Sequence, residues 1–182
     1  MVPQGSRRTS LVVDPLALLK REHQMILERL AMIEAAMSSC SSGGGTVKRT
    51  NRETLRDLLE FFIGPVDVHF KREEMLVGDL RRILGREQEA KAQFQSFLEE
   101  HRALKADATA VMQQLARKRA DCRRTEASKA YGGLRTLTEE LHALIRRYRE
   151  QIACEERLLF VLAEMRLTAE QRRRISRRML QV

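Results

Sequence analysis

Four long segments of the sequence repeat apolar residues at helical spacing, and each carries a polar residue inside its apolar stripe. Because an α-helix turns about 100° per residue, residues three, four and seven positions apart share one face. His23, His69, His101 and Glu155 fall on such faces, among leucines and aromatic residues. A polar group can face a protein core only where a partner satisfies it. This pattern predicts a helical protein with a polar centre.

The composition favours helices over strands. Apolar residues make up 43% of the chain and charged residues 32%, whereas aromatic residues make up 4% and prolines number three. Chains rich in leucine, alanine, arginine and glutamate favour helices. Four long amphipathic segments with short connections predict an all-α protein, an antiparallel up-down four-helix bundle with a short C-terminal fifth helix.

Local signals indicate where the helices begin and end. Asp14-Pro15 is a helix start, and the serine- and glycine-rich stretch 38–45 ends the first helix. Gly64-Pro65 is expected to kink the second helix, which Gly85 ends. The polar stretch 117–125 connects the third helix to the fourth. Thr168 to Gln171 forms a capping box that opens the fifth helix, from Ala169 to about Leu180.

These signals predict one domain with two short extensions. We expect residues 1–12 to be a flexible N-terminus, residues 13–166 to form the bundle, and residues 167–182 to form a short basic helix. The concentrated basic residues are in that last segment, at Arg172, Arg173, Arg174, Arg177 and Arg178.

The charge and cysteine content bear on partners and location. The net charge is +9, but the chain has no tryptophan and two tyrosines, so it offers no stacking platform for single-stranded nucleic acid. We therefore expect no nucleic-acid partner. No apolar stretch approaches the roughly 20 residues of a membrane span, so we expect no membrane partner. Three scattered cysteines without a CxxC pair suit a reducing compartment. We predict a cytoplasmic protein; its oligomeric state is not predicted.

The inward polar residues have the chemistry of a metal site. His69 and Glu73 are four residues apart, which stacks them on one helix face, and Gln151 and Glu155 have the same spacing. A buried carboxylate without a partner costs several kcal/mol, and a cation is the simplest partner. Imidazole and carboxylate ligands on facing helices suit iron, manganese or zinc.

A simpler interpretation exists for each residue alone. A single inward histidine is more often a hydrogen-bonded core residue than a ligand, and a single glutamate is more often ion-paired or partly exposed. Polar groups at the centre of four successive stripes are hard to obtain by chance. The set as a whole therefore indicates a metal site.

The sequence resembles the hemerythrin-like HHE cation-binding domains. That family carries E-H, then H-x-x-x-E-E after an aromatic run, then E-H, then H-I-x-x-E-E-x-x-L-F. The corresponding residues here are Glu22-His23, His69 to Glu74 after Phe61-Phe62, Glu100-His101, and Gln151 to Phe160. The resemblance spans about residues 14 to 165. It implies that the bundle is hemerythrin-like.

The resemblance also implies a ligand set. His23, His69 and His101 would be terminal iron ligands, and Glu73 and Glu155 would bridge two iron ions per chain. Gln151 stands where the family has its last histidine, and an amide is a weak neutral ligand. Three consequences are open: a weakly held second iron, a water in the vacant position, or a mononuclear site.

Other residues near the apolar stripes are weaker ligand candidates. His142 lies about 180° round the helix from Gln151, off the apolar stripe. Cys154 and Glu156 are only adjacent to the stripe. The acids Glu22, Glu74 and Glu100 beside the expected ligands are predicted to flank the helices and pair with arginine.

Three classes of function fit such a site. The first is binding or sensing of O₂, NO or peroxide at an open coordination position. The second is turnover of peroxide or nitric oxide, or donation of iron for repair; no catalytic residue is identified, although Tyr148 could donate a proton. The third is a scaffold or regulatory bundle with an impaired metal site that acts through its basic surface.

Overall fold

A computed structural model describes residues 13–41, 49–85, 87–121 and 127–182. These residues form helices and turns without a strand, so the all-α prediction is confirmed for the described part of the chain. The predicted flexible N-terminus, residues 1–12, lies outside the described residues. The division of the chain into domains stays a prediction.

The first half of the chain forms three helices: α1 (Pro15–Ser41), α2 (Arg49–Ile63) and α3 (Pro65–Leu84). The predicted start at Asp14-Pro15 is confirmed, because the Leu16 amide donates to Asp14 Oδ1 at 3.3 Å. The predicted second helix is two helices with Gly64 between them. Pro65 has no amide hydrogen, which interrupts the backbone ladder, although Gly64 still donates to the Glu60 carbonyl at 3.1 Å.

Two long helices follow, α4 (Gln88–Asp121) and α5 (Ala127–Cys154). Gly85 ends α3 with a backbone φ of +59°, as predicted for a glycine stop. The prediction that residues 117–125 form a connection is partly wrong. Residues 117–121 continue α4, and residues 122–126 lie outside the described part. Lysine and arginine are good helix formers, so a basic composition did not by itself end the helix.

The end of the chain contains a π-helical segment (Glu155–Phe160), then α6 (Val161–Arg166) and α7 (Ala169–Met179). The predicted capping box is confirmed: Gln171 N donates to the Thr168 hydroxyl, and Thr168 N donates to the Gln171 side chain. The π-helical segment was not predicted. No helix in the described part is both long and apolar enough to cross a membrane.

The core consists of two apolar clusters with polar residues between them. One cluster holds Ile26, Phe70, Leu104 and Ile152, and the other holds Leu19, Leu76, Phe97 and Leu159. Helices α1, α3 and α4 and the stretch from α5 into the π-helical segment each contribute to both clusters and carry one or two polar residues of the core. We call these residues the polar layer: His23, His69, Glu73, His101, Gln151 and Glu155.

Helix α7 belongs to the same core. Ile175 and Met179 are fully buried in the second cluster, and α7 contacts α1 and α3. The Ser176 hydroxyl donates to the Val13 carbonyl at 2.5 Å. The C-terminal segment is thus packed against the helices that carry His23 and His69.

Candidate metal centre

The structure brings all six predicted site residues together. Every member of the polar layer is buried, and Gln151, the most exposed, has 7% of its surface accessible. His23, His69, Glu73 and Glu155 each offer one ligand atom, and these four atoms lie within 4.8 Å of one another. His101 joins them through contacts with both glutamates. The helix faces that periodicity predicts to point inward therefore meet at one place in the core.

Glu73 contacts all three histidines. Its Oε1 lies 3.2 Å from His23 Nε2, and its Oε2 lies 3.3 Å from both His69 Nε2 and His101 Nε2. A carboxylate whose two oxygens face different imidazoles could share a cation with them.

Glu155 faces two sides of the layer. Its Oε1 lies 2.8 Å from His101 Nε2 and accepts a hydrogen bond from the Gln151 amide. Its Oε2 lies 3.4 Å from His23 Nε2. The two oxygens of Glu155 thus meet different neighbours.

Two of the histidines contact a carboxylate through Nδ1, while their Nε2 atoms face Glu73. His23 Nδ1 lies 3.0 Å from Glu156 Oε1, and His69 Nδ1 lies 3.0 Å from Glu22 Oε2. A carboxylate at Nδ1 places the proton there and leaves the Nε2 lone pair free for a metal. His101 differs, because its buried Nδ1 makes no hydrogen bond.

Aromatic rings position two of the imidazoles. The His101 ring stacks on Phe70, with centroids 4.1 Å apart, and the His23 ring stacks on Phe160, with centroids 5.1 Å apart. Phe160 is five residues after Glu155, a separation of about 140° on a regular α-helix. The π-helical turn is wider, so Glu155 and Phe160 are both buried beside His23. This local distortion, which often occurs at functional sites, completes the centre.

Without metal, the layer is held together by charge. Burial lowers the pKa of His23 and His101, but contacts with Glu155 and Glu73 outweigh it and raise both to about 10. Burial also lowers the pKa of His69, which Glu73 and Glu22 raise to about 9. Burial raises the pKa of Glu73, but the three imidazoles hold it well below its usual range. In the metal-free protein, protons therefore occupy the imidazole nitrogens that would otherwise bind a cation.

The polar atoms of the layer are oriented better for binding a metal ion than for hydrogen bonding to one another. Glu73 Oε2 and Glu155 Oε2 are buried and make no hydrogen bond, although imidazole nitrogens lie within 3.4 Å of each. Short distances with poor angles are expected where lone pairs converge on a shared point. An unsatisfied buried oxygen is costly. Imidazole nitrogen and carboxylate oxygen are donors that iron, manganese and zinc accept.

Other residues considered from the sequence lie elsewhere. His142 is exposed, and Cys154 is half-buried and packs against the second apolar cluster. Glu22 pairs with Arg72, and Glu100 pairs with Arg147 at 2.8 Å, as predicted. Glu74 is exposed. Tyr148 is buried, and burial raises the pKa of its hydroxyl, which makes no hydrogen bond.

The C-terminal arginines bind their own chain. Arg174 and Arg178 contact Asp79 of α3, and Arg172 donates to the Glu164 carbonyl at 2.8 Å. Much of the basic segment is therefore used to attach α7.

Sequence reasoning missed the contacts of Glu22 and Glu156 with imidazoles. Each stands next to a predicted ligand in the sequence, and adjacent residues on a helix differ by about 100°. Glu22 is therefore predicted to flank its helix, and Glu156 to be only adjacent to the stripe. The sequence signal for these contacts is that both acids are adjacent to residues predicted to face the core. Their imidazole partners are on other helices, which periodicity alone does not identify.

The chain is similar to a known protein family. A family model described as the hemerythrin HHE cation binding domain matches residues 14–163. No curated protein and no solved structure matches the chain significantly. The matched range includes every residue of the polar layer.

Proposed function

Because the chain belongs to the hemerythrin HHE cation-binding family, we propose that it is a non-haem iron protein that binds or senses O₂, NO or peroxide. The observation that carries the proposal is the set of four buried ligand atoms within 4.8 Å of one another. The unsatisfied oxygens of Glu73 and Glu155 support it, since a cation would satisfy both.

The residues of the polar layer have distinct roles in this proposal. His23 and His69 offer imidazole nitrogens, and Glu73 and Glu155 offer oxygens that neutralise the cation. His101 contacts both glutamates. Bound iron would supply redox chemistry and an open coordination position for the small ligand. The resemblance to the family implies two metal positions, and Gln151 would lie at the weaker one.

The protein around the layer controls access to it. Apolar clusters lie on both sides of the polar layer, so the site has a low dielectric and little water. In such surroundings a neutral diatomic ligand is favoured over a large hydrated anion. Phe70 and Phe160 restrain the imidazole rings by stacking.

We also propose the antiparallel order of the four long helical stretches. The start of α1 and the end of α3 share the second cluster, as do the start of α4 and the end of the α5–α6 stretch. This distribution supports neighbouring helices that run in opposite directions. The cytoplasmic location stays a prediction.

Metal analysis of protein purified without chelators from iron-supplied cells tests the metal. We expect iron bound to the wild type and lost from His69→Ala, with helical content unchanged. His142→Ala is the matched control, because His142 is exposed, and it should keep its iron. Zinc or manganese in iron-supplied protein would contradict the assignment of iron.

Ligand binding is tested on the iron-loaded protein. Addition of NO or hydrogen peroxide should change its visible absorption, and zinc-loaded protein should show no change. Consumption of peroxide over many equivalents would favour turnover over binding. An iron-loaded protein whose spectrum responds to neither ligand, nor to O₂, would contradict the proposed function.

A further inference from the structure

The two sides of the polar layer are built differently. On one side, His23 and His69 each have a carboxylate at Nδ1, and their Nε2 atoms face Glu73. On the other side, His101 has no partner at Nδ1, and a glutamine stands where the family has a histidine. Carboxylates behind metal-binding imidazoles commonly contribute about 10- to 100-fold in metal affinity. The first side has this support and the second does not.

Gln151 presents a donor to the layer. Its amide nitrogen donates to Glu155 Oε1, the same oxygen that lies 2.8 Å from His101 Nε2. An N–H group cannot bind a cation. The opposite amide orientation would bring the Gln151 oxygen against Glu155 Oε1, and two acceptors repel each other. The observed orientation is therefore the favourable one without a cation at that place.

These contacts divide the oxygens of Glu155. Oε1 is engaged by Gln151 and His101, whereas Oε2 makes no hydrogen bond and lies 3.4 Å from His23 Nε2. Glu155 belongs with His23, His69 and Glu73 to the group whose ligand atoms lie within 4.8 Å of one another, and Oε2 is its oxygen beside His23. One complete set of two imidazoles and two carboxylates results.

On the premise that the polar layer binds metal, we propose that this chain has one strong position for a divalent transition-metal ion, formed by His23, His69, Glu73 and Glu155. Gln151 and His101 are positioning residues that hold Glu155 Oε1 by hydrogen bonds. They orient the free Oε2 toward the ion, and they leave a second ion without adequate ligands.

Titration of the metal-free protein with Co²⁺, followed by calorimetry, tests the number of positions. We expect one tight equivalent per chain in the wild type, with any second equivalent at least about 100-fold weaker. Gln151→His should add a second tight equivalent, because it supplies an imidazole. Gln151→Leu, the matched control, supplies neither donor nor ligand and should stay at one equivalent, with weaker binding because Glu155 is less well oriented.

A second measurement distinguishes a single ion from a coupled pair. The ferric wild type should give the electron paramagnetic resonance signal of an isolated high-spin ion. Ferric Gln151→His should lose much of that signal through coupling between two ions. His101→Ala should keep one equivalent, bound more weakly because Glu155 is less well oriented, whereas His69→Ala should lose tight binding. Circular dichroism of each variant checks that the helices are intact.

The possible failures are distinguishable. Two tight equivalents in the wild type, or one in a folded Gln151→His variant, would overturn the inference of a single position and leave the proposed metal function standing. Loss of all binding in a folded His101→Ala variant would also overturn it. Failure of the wild type to bind Co²⁺, zinc or iron would refute the proposed function itself.

Discussion

Helix α3 buries two carboxylates, and the surroundings of the two differ. Asp79 is 1% exposed and contacts Arg82 at 2.5 Å, Arg178 at 2.7 Å and Arg174 at 3.5 Å. These arginines keep 40% to 62% of their side-chain surface exposed. Glu73 is fully buried, and its three imidazole neighbours are at most 3% exposed.

The difference shows which buried acid is structural and which indicates a metal. The arginines around Asp79 stay largely hydrated, so the contact removes little of their solvation and attaches α7 to α3. Arginine also cannot lose its proton to become a ligand. The imidazoles around Glu73 can, so a cation can replace their protons. Burial alone does not distinguish the two carboxylates, whereas the identity of their partners does.

The largest effect is expected from neutralising Glu73. Glu73→Gln should lower metal affinity by more than about 100-fold, because the residue faces all three histidines and loses its charge. Calorimetric titration with Co²⁺ measures this affinity. Asp79→Asn is the matched change on the same helix and should bind metal as the wild type does. Equal losses in both variants would contradict the distinction between the two carboxylates.

The next effect is a pH dependence of the metal-free protein. The folded-state pKa values of His23, His69 and His101 are raised from 6.5 to about 10, 9 and 10, so the folded form holds more protons above pH 6.5. This stabilisation is complete below pH 6.5 and is lost as pH rises through about 9 to 10. The slope is up to about 1.4 kcal/mol per pH unit for each proton.

Urea unfolding of chelator-treated protein between pH 6 and pH 10 measures this dependence. The lowered pKa of Glu73 predicts a second loss of stability as pH falls below 4.5. Metal should reverse the trend above pH 6.5, because binding releases protons and strengthens as pH rises. Stability of the metal-free protein that is flat from pH 6.5 to 10 would count against a charged polar layer.

A smaller effect is expected from the carboxylates behind the imidazoles. Glu22→Gln and Glu156→Gln should each weaken metal binding by about 10- to 100-fold, because His69 and His23 lose the groups that orient them. Glu164→Gln is the control, since Glu164 pairs with exposed Lys20 away from the layer. Affinity unchanged in both test variants would show that these contacts do not support the ligands.

The smallest effect is expected at Asp79. Asp79→Asn should lower the free energy of unfolding by about 1 kcal/mol, because charge-assisted hydrogen bonds become ordinary ones. Urea denaturation measures this loss. A loss above about 3 kcal/mol would show that this cluster contributes to stability as much as a fully buried ion pair does.

Much of the site could be predicted because its residues follow helical periodicity. His23, His69, Glu73, His101 and Glu155 were assigned to inward faces from spacing alone, and the structure buries all five. The predictions were wrong where local signals competed. Residues 117–121 continue α4 despite their polarity, and the helix around Gly64-Pro65 divides at Gly64, just before the residue without an amide hydrogen.

The sequence by itself determined which side chains point inward and which family the chain resembles, because helix faces and motif spacing are local properties of the chain. Tertiary structure decided which atoms meet: Glu156 behind His23, Glu22 behind His69, and the Gln151 amide against Glu155. It also decided the π-helical turn at Glu155 and the attachment of α7 through Asp79. These features depend on packing between helices far apart in the sequence, where each position is set by all its neighbours at once.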